Sequence, residues 1–267
     1  MISISRPPIN VSNEIIRSYY YLEFIQSKNK NSGIVIDDCC YELMFVKEQN
    51  VKFINGDNKS FLIAPSFTLI NPKPPFRFEF SKTFSVFSIK LQPWMNTSYI
   101  PISKGKTLNL NTLYHDPINV LQKNLFNSKS IDKMVEHAEE FLMTLNISLN
   151  ERTELVKNIC KAIYDKSGNI TVNEIAVQFD MYRQKLNQLF KEEVKYTLKT
   201  FINNIRIRAC ISYKLKNPEI SLTEIGYRFG YFDQAHFTHS FKKACGVSPS
   251  EYVNNLGYSF RAEMSTR

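Results

Sequence analysis

Hydrophobic and polar positions change their period part-way along the chain. FRFEF (76–80) alternates aromatic and charged residues, and VFSIKL (86–91) sets Phe87, Ile89 and Leu91 on one face. A period of two is that of a half-buried strand. YELMFV (41–46) and SFLIAPSFTLI (60–70) are further β-rich runs, with the turn-forming clusters INGDNKS, NPKPP and PISKGK between and after them. This pattern predicts an antiparallel β barrel or sandwich from residue 1 to about 120. Beyond Pro117 the period lengthens. IDKMVEHAEEFLMTL (131–145) gathers Ile131, Met134, Val135, Ala138, Phe141, Leu142 and Leu145 into one helical stripe. ERTELVKNICKAIYD (151–165) puts Leu155, Ile159 and Ile163 on a face, and KSGN (166–169) ends it. The expectation is an α+β chain of two domains. Residues 1–150 form a β-rich unit with a connecting or interface helix at about 131–145, and residues 151–267 are all helical.

The helical part contains a repeat. Glu174-Ile175-Ala176 aligns with Glu224-Ile225-Gly226, each after a capping-type segment, NITVN (169–173) or EISLT (219–223). Phe179 or Phe229 follows three residues later, then a turn at Asp180-Met181 or Gly230-Tyr231, then a helix ending in Phe190-Lys191 or Phe241-Lys242. A small residue (Ala176, Gly226) suits two helices that approach closely at a steep angle. A glycine at 230 can take the positive φ that ends a helix sharply. Two such units, at about 172–191 and 222–243, have the layout of helix-turn-helix motifs, whose second helix lies in a DNA major groove.

GYFDQAHFTHSFKKACGVSPSEY (230–252) resembles the signature of the AraC/XylS family of transcription regulators, and the resemblance extends over about 155–254. It implies two helix-turn-helix units joined by a long rigid helix, entering successive grooves on one face of the duplex. It also implies a cupin-like N-terminal barrel acting as a sensor or dimerisation module, double-stranded DNA and RNA polymerase as partners, and a small-molecule effector or a homodimer. On the first recognition helix Leu186, Leu189 and Phe190 face the core, leaving Arg183, Gln184, Asn187 and Gln188 for bases. On the second Phe237 and Phe241 are core, and Gln234, Ala235, Thr238 and His239 point outward. Gln and Asn pair with adenine N6/N7 and Arg prefers guanine. Lys191, Arg206, Lys242 and Lys243 are the expected phosphate contacts. The plainer alternative makes these the solvated faces of amphipathic helices. Departures from the family pattern are Gln188 and His239 in place of arginine, Tyr182 in place of serine, Asp180 and Val194 in place of glycine, and Val253 in place of arginine.

Charge agrees with a polyanionic partner without requiring one. Residues 1–150 carry 16 Lys and Arg against 13 Asp and Glu, a net of +3, and residues 151–267 carry 18 against 12, a net of +6. No stretch has the length of a membrane span and MISISRPPIN lacks the apolar run of a signal peptide, so the expectation is a cytoplasmic protein with no membrane partner. Five scattered cysteines do not suggest a disulfide framework.

Catalysis is not expected. A metal-dependent barrel needs convergent histidines, and residues 1–150 hold only His115 and His137. Walker, dinucleotide and nucleophile-elbow motifs are absent, and His236 with His239 lacks a carboxylate or cysteine partner. No cofactor or metal is expected. An effector pocket, if the barrel has one, has Cys40, Glu42, Phe87 and Trp94 as candidate lining, with ordinary core as the competing role. Two other classes stay open: a regulator acting through protein contacts, and a DNA-binding protein with a catalytic barrel.

Overall fold

The computed structural model describes residues 2–25, 37–70, 74–100 and 107–254. PISKGK, the first three residues of NPKPP and the stretch after Asn254 lie outside them. The strands are β1 (Ile2–Arg6), β2 (Ile16–Ile25), β3 (Glu42–Val46), β4 (Lys52–Ile54), β5 (Ser60–Leu62), β6 (Ser66–Leu69), β7 (Arg77–Glu79), β8 (Thr83–Leu91) and β9 (Thr107–Asn109). All pair antiparallel, in a six-stranded sheet ordered β1-β2-β8-β3-β6-β9 and a three-stranded sheet ordered β5-β4-β7. The expected antiparallel N-terminal layer is therefore present.

The period of two in β8 separates two environments. Phe84 and Val86 join Phe53, Phe67 and Phe76 in an aromatic core between the sheets. Phe87, Ile89 and Leu91 point the other way, into the larger core beneath the helices. β2 does the same with Tyr20 and Leu22 on one side and Ile16 and Tyr19 on the other.

The helices are α1 (Asn96–Tyr99), α2 (Asn111–Tyr114), α3 (Asp116–Asn127), α4 (Ile131–Thr144), α5 (Glu151–Asp165), α6 (Val172–Gln178), α7 (Arg183–Glu193), α8 (Leu198–Lys216), α9 (Leu222–Arg228), α10 (Gln234–Cys245) and α11 (Pro249–Asn254). α4 buries its apolar stripe on its own chain: Met134, Val135, Ala138, Phe141 and Leu142 are core. Glu139 on the same helix is fully buried, and its carboxylate accepts from the backbone N–H groups of Ile9 and Asn10 at 2.7 and 2.8 Å.

The large core continues without a break past residue 150. Trp94, Met95 and the α3–α4 layer share it with Val156, Ile159, Cys160 and Ile163 of α5, with Leu186 and Phe190 of α7, and with Phe201 and Ile205 of α8. The second half of α8 belongs elsewhere: Ile207, Cys210 and Ile211 pack with Ile225, Phe237, Phe241 and Tyr252. α8 thus carries one helical module on each half, and the first module is built into the same core as the N-terminal sheet.

Candidate nucleic-acid interface

Both modules are built by the same local rules. Thr171 caps α6 by accepting from Glu174 N at 3.2 Å while the Glu174 carboxylate accepts from Thr171 N at 2.7 Å, a reciprocal capping box. Ser221 caps α9 by accepting from Glu224 N at 3.1 Å. Each first helix then closes with the same pair of bonds. Met181 N donates to Ala176 O at 2.9 Å and Asp180 N to Val177 O at 3.2 Å; Tyr231 N donates to Gly226 O and Gly230 N to Tyr227 O, both at 3.0 Å. That double bond pattern needs a left-handed residue after the helix. Gly230 supplies it at φ 77°, and Asp180 adopts φ 48° in place of the expected glycine. The turn chemistry is therefore conserved between modules although one lacks the glycine.

α7 and α10 follow as the second helices. Leu186 and Phe190 on α7, and Phe237 and Phe241 on α10, are buried, with Phe190 edge-on to Phe201 at 5.1 Å and Phe237 edge-on to Phe241 at 5.8 Å. Their outer faces carry the expected residues. Arg183, Gln184, Gln188, Gln234, Ala235 and His239 are exposed, and Asn187 and Thr238 are half-buried. Asn187 Nδ2 donates back to Arg183 O at 2.9 Å. Gln188 Nε2 is held by Glu192 at 2.9 Å, and Arg152 of α5 grips both Glu192 and Glu193. Lys191, Lys242 and Lys243 are exposed near the C-terminal ends of the two helices.

Arg206 is partly engaged within the fold. Its Nε donates to Gly168 O at 2.7 Å, NH2 donates to Ile170 O at 3.3 Å, and the guanidinium lies over the Tyr231 ring at 5.4 Å. It braces the loop before the first module against the turn of the second, with Nε and one NH2 donor committed to the fold. A correction concerns the end of α7. Val194 is right-handed at φ −92° and buried; Lys195, at φ 66°, takes the left-handed position that Gly246 holds after α10 at φ 77°.

The four candidate pocket residues are not brought together. Phe87 and Trp94 are buried in the large core, and Trp94 Nε1 donates to Glu14 O at 2.7 Å. Glu42 pairs across strands with Lys90 on the opposite sheet face, accepts from Ser88 Oγ at 2.9 Å and from Tyr20, and meets Lys90 Nζ at 3.1 Å. Cys40 lies beside Arg17, and burial pushes its thiol up to about 12.

Sequence inspection missed the joint between the sheet and the helical modules. Asp38 meets Lys90 of β8 at 3.1 Å and Arg208 of α8 at 3.7 Å. Burial works to raise the Asp38 carboxyl, but Lys90, Arg208 and Arg17 outweigh it and hold the pKa well below the ordinary range. Arg17 of β2 also donates to the Tyr164 hydroxyl of α5 at 2.8 Å. Asn96, fully buried, donates to Cys39 O at 3.0 Å and to Val194 O at 2.9 Å, and accepts from Tyr41 N at 2.9 Å. At the other module Gly246 lies so close to Pro75 that a Cβ there would sit 2.2 Å from its ring and nitrogen. Val194–Lys195 and Cys245–Gly246 are equivalent places. The N-terminal part therefore touches the C-terminal end of both second helices.

Comparison with known proteins agrees with this geometry. Residues 175–255 match the family model described as a helix-turn-helix domain. The Msm operon regulatory protein of Streptococcus mutans is 31% identical over 120 residues, 44% of this chain and 43% of that protein. The HTH-type transcriptional activator RhaS of Escherichia coli is 29% identical over 85 residues, 32% and 30% of the two chains. The HTH-type transcriptional regulator MtrA of Neisseria gonorrhoeae is 28% identical over 99 residues, 37% and 33%. The matched stretches span less than half the length of these relatives. The crystal structure of ToxT from Vibrio cholerae has a similar fold, with a TM-score of 0.50 at 20% identity, covering 90% of this chain and 99% of that one.

Proposed function

We propose that this chain, a member of the AraC family through its helix-turn-helix domain, is a transcription regulator that reads two successive major grooves of double-stranded DNA. The observation that carries this is one backbone design made twice: the same cap, the same left-handed turn and an outward polar face on each second helix. In such motifs the second helix presents its N-terminal residues to base edges. Arg183, Gln184, Asn187 and Gln188 would read one groove, and Gln234, Ala235, Thr238 and His239 the next. Lys191, Lys242 and Lys243 would hold phosphates and supply the salt dependence. RhaS is named an activator, and activation through contact with RNA polymerase is the sense of control proposed for this chain.

The N-terminal domain would set the output, through a small-molecule effector or through dimerisation. Support for such control comes from its two contacts, Asn96 on Val194 and Pro75 on Gly246, at equivalent ends of the two reading helices. A shift of the sheet would be felt by both helices at once. Neither the sheet nor the modules carry a cluster of His, Cys, Asp or Glu fit to hold a metal among the described residues, and no helix there is long and apolar enough to cross a membrane.

The experiment is selection of bound sequences from random duplex DNA by the full chain, at two salt concentrations. The expected product is a site of two segments about ten base pairs apart, centre to centre, with affinity falling steeply as salt rises. Recovery of unrelated sequences at both salts would contradict the proposal.

A further inference from the structure

Among the described residues ten large hydrophobic side chains are exposed, and four of them occur as a repeated pair. Val177 and Tyr182 are 82% and 87% exposed in the first module; Tyr227 and Phe232 are 59% and 86% exposed in the second. Counted from the left-handed residues Asp180 and Gly230, each pair occupies the same two places. Tyr182 is the N-cap of α7, and Phe232 immediately precedes Asp233, the N-cap of α10. Asp233 caps its helix by accepting from His236 N at 2.7 Å, whereas Tyr182 makes no capping bond. Serine, threonine or aspartate is preferred at a cap because its side-chain oxygen accepts a backbone N–H, a bond that Tyr182 does not make. The fold therefore gains nothing from the tyrosine, and an isolated phenylalanine in solvent gains nothing either.

The place of the two rings suggests their use. They stand at the N-terminal ends of the two helices assigned to DNA reading, where a docked helix-turn-helix meets base edges. The major groove offers an apolar ring one distinctive apolar partner, the thymine 5-methyl group. Three nearby amide side chains fit the same base pair. Gln184, Asn187 and Gln234 carry amides that pair with adenine, the complement of thymine, and α10 has no arginine to prefer guanine. We propose that Tyr182 and Phe232 are specificity-determining residues, each packing its ring on a thymine 5-methyl group in one half of the operator. This deepens the proposed function and rests on it.

The test uses the full chain and the operator recovered by selection, with deoxyuridine placed at one thymine at a time. That swap removes one methyl group and keeps every hydrogen bond of the pair. One thymine in each half should weaken wild-type binding about fourfold on replacement, the scale of one buried methyl. Phe232→Ala should bind the thymine operator more weakly and be indifferent to the swap in its half; Tyr182→Ala should do the same in the other. Tyr182→Phe should keep the sensitivity of wild type. The proposal is overturned if no single swap weakens wild type, or if the alanine variants keep full sensitivity. Loss of that sensitivity in Tyr182→Phe would overturn it at that residue, because the ring that remains would then make no contact with the methyl group. Absence of any sequence preference would instead overturn the DNA-reading assignment beneath it. Both side chains are more than four-fifths exposed, so their removal leaves the core intact.

Discussion

Asn187 and Lys243 lie on the outer faces of different second helices, and their chemistry separates them. An amide that pairs with adenine discriminates bases, so Asn187→Ala should relax preference at one position by about 1–3 kcal/mol and leave other positions unchanged. Lys243 ends in a point charge, so Lys243→Ala should weaken all duplexes alike and lower the salt slope by about one ion. Affinities for a panel of single-base variants check both, and a changed base preference in Lys243→Ala would reverse their roles. Asp37 gives a pH prediction. Burial pushes its carboxyl up to about 6, against the lowering effect of the bond it accepts from Cys39 N at 2.8 Å and of its bond with Tyr196. The fold binds this proton more tightly than the unfolded chain. The stability it contributes is therefore present below the ordinary carboxylate range and lost as pH rises through about 6. Asp37→Asn keeps an acceptor for Cys39 without the charge. Its melting temperature relative to wild type should rise between about pH 5 and about pH 7, the interval that spans the shifted group. A constant difference would remove Asp37 from the account.

At the scale of elements, the modules were legible because their signals are local. Thr171 and Glu174 make a capping box three residues apart, and Leu186 with Phe190 marks one face of α7 within a turn. Strand β8 was legible because its alternation divides two cores. β2 was not singled out, since both its faces are apolar: Tyr19 and Tyr20 enter different cores. The family pattern sets Val194 against a glycine, but the left-handed residue after α7 is its neighbour Lys195, which the repeat with Gly246 identifies. The joint was invisible for a different reason. Asn96 and Val194 are 98 residues apart, and an asparagine in NTSY carries no sign of a distant carbonyl. Asn96→Ala leaves Tyr41 N and Val194 O without their partner in a buried place. It should destabilise the chain by about 1–3 kcal/mol in thermal or denaturant unfolding. Unchanged stability would mean that this contact does not hold α7 to the sheet.

At the scale of the molecule, α8 sets the geometry. Its 19 residues make a rod of about 28 Å at 1.5 Å per residue, against about 34 Å for a turn of duplex. One module packs on each half of it, Arg206 ties the loop before the first to Tyr231 of the second, and the first module shares the core of the N-terminal sheet. The two second helices therefore keep a fixed spacing, unlike two domains on a flexible tether. The measurement that tests this most directly is the affinity of the full chain for its selected operator with base pairs inserted between the two segments. An insertion of about five base pairs, half a turn, turns one segment to the far side of the duplex. Affinity should then fall to that of a single segment, because α8 cannot follow the rotation. Full affinity after that insertion would contradict a rigid pair of modules reading one face of DNA.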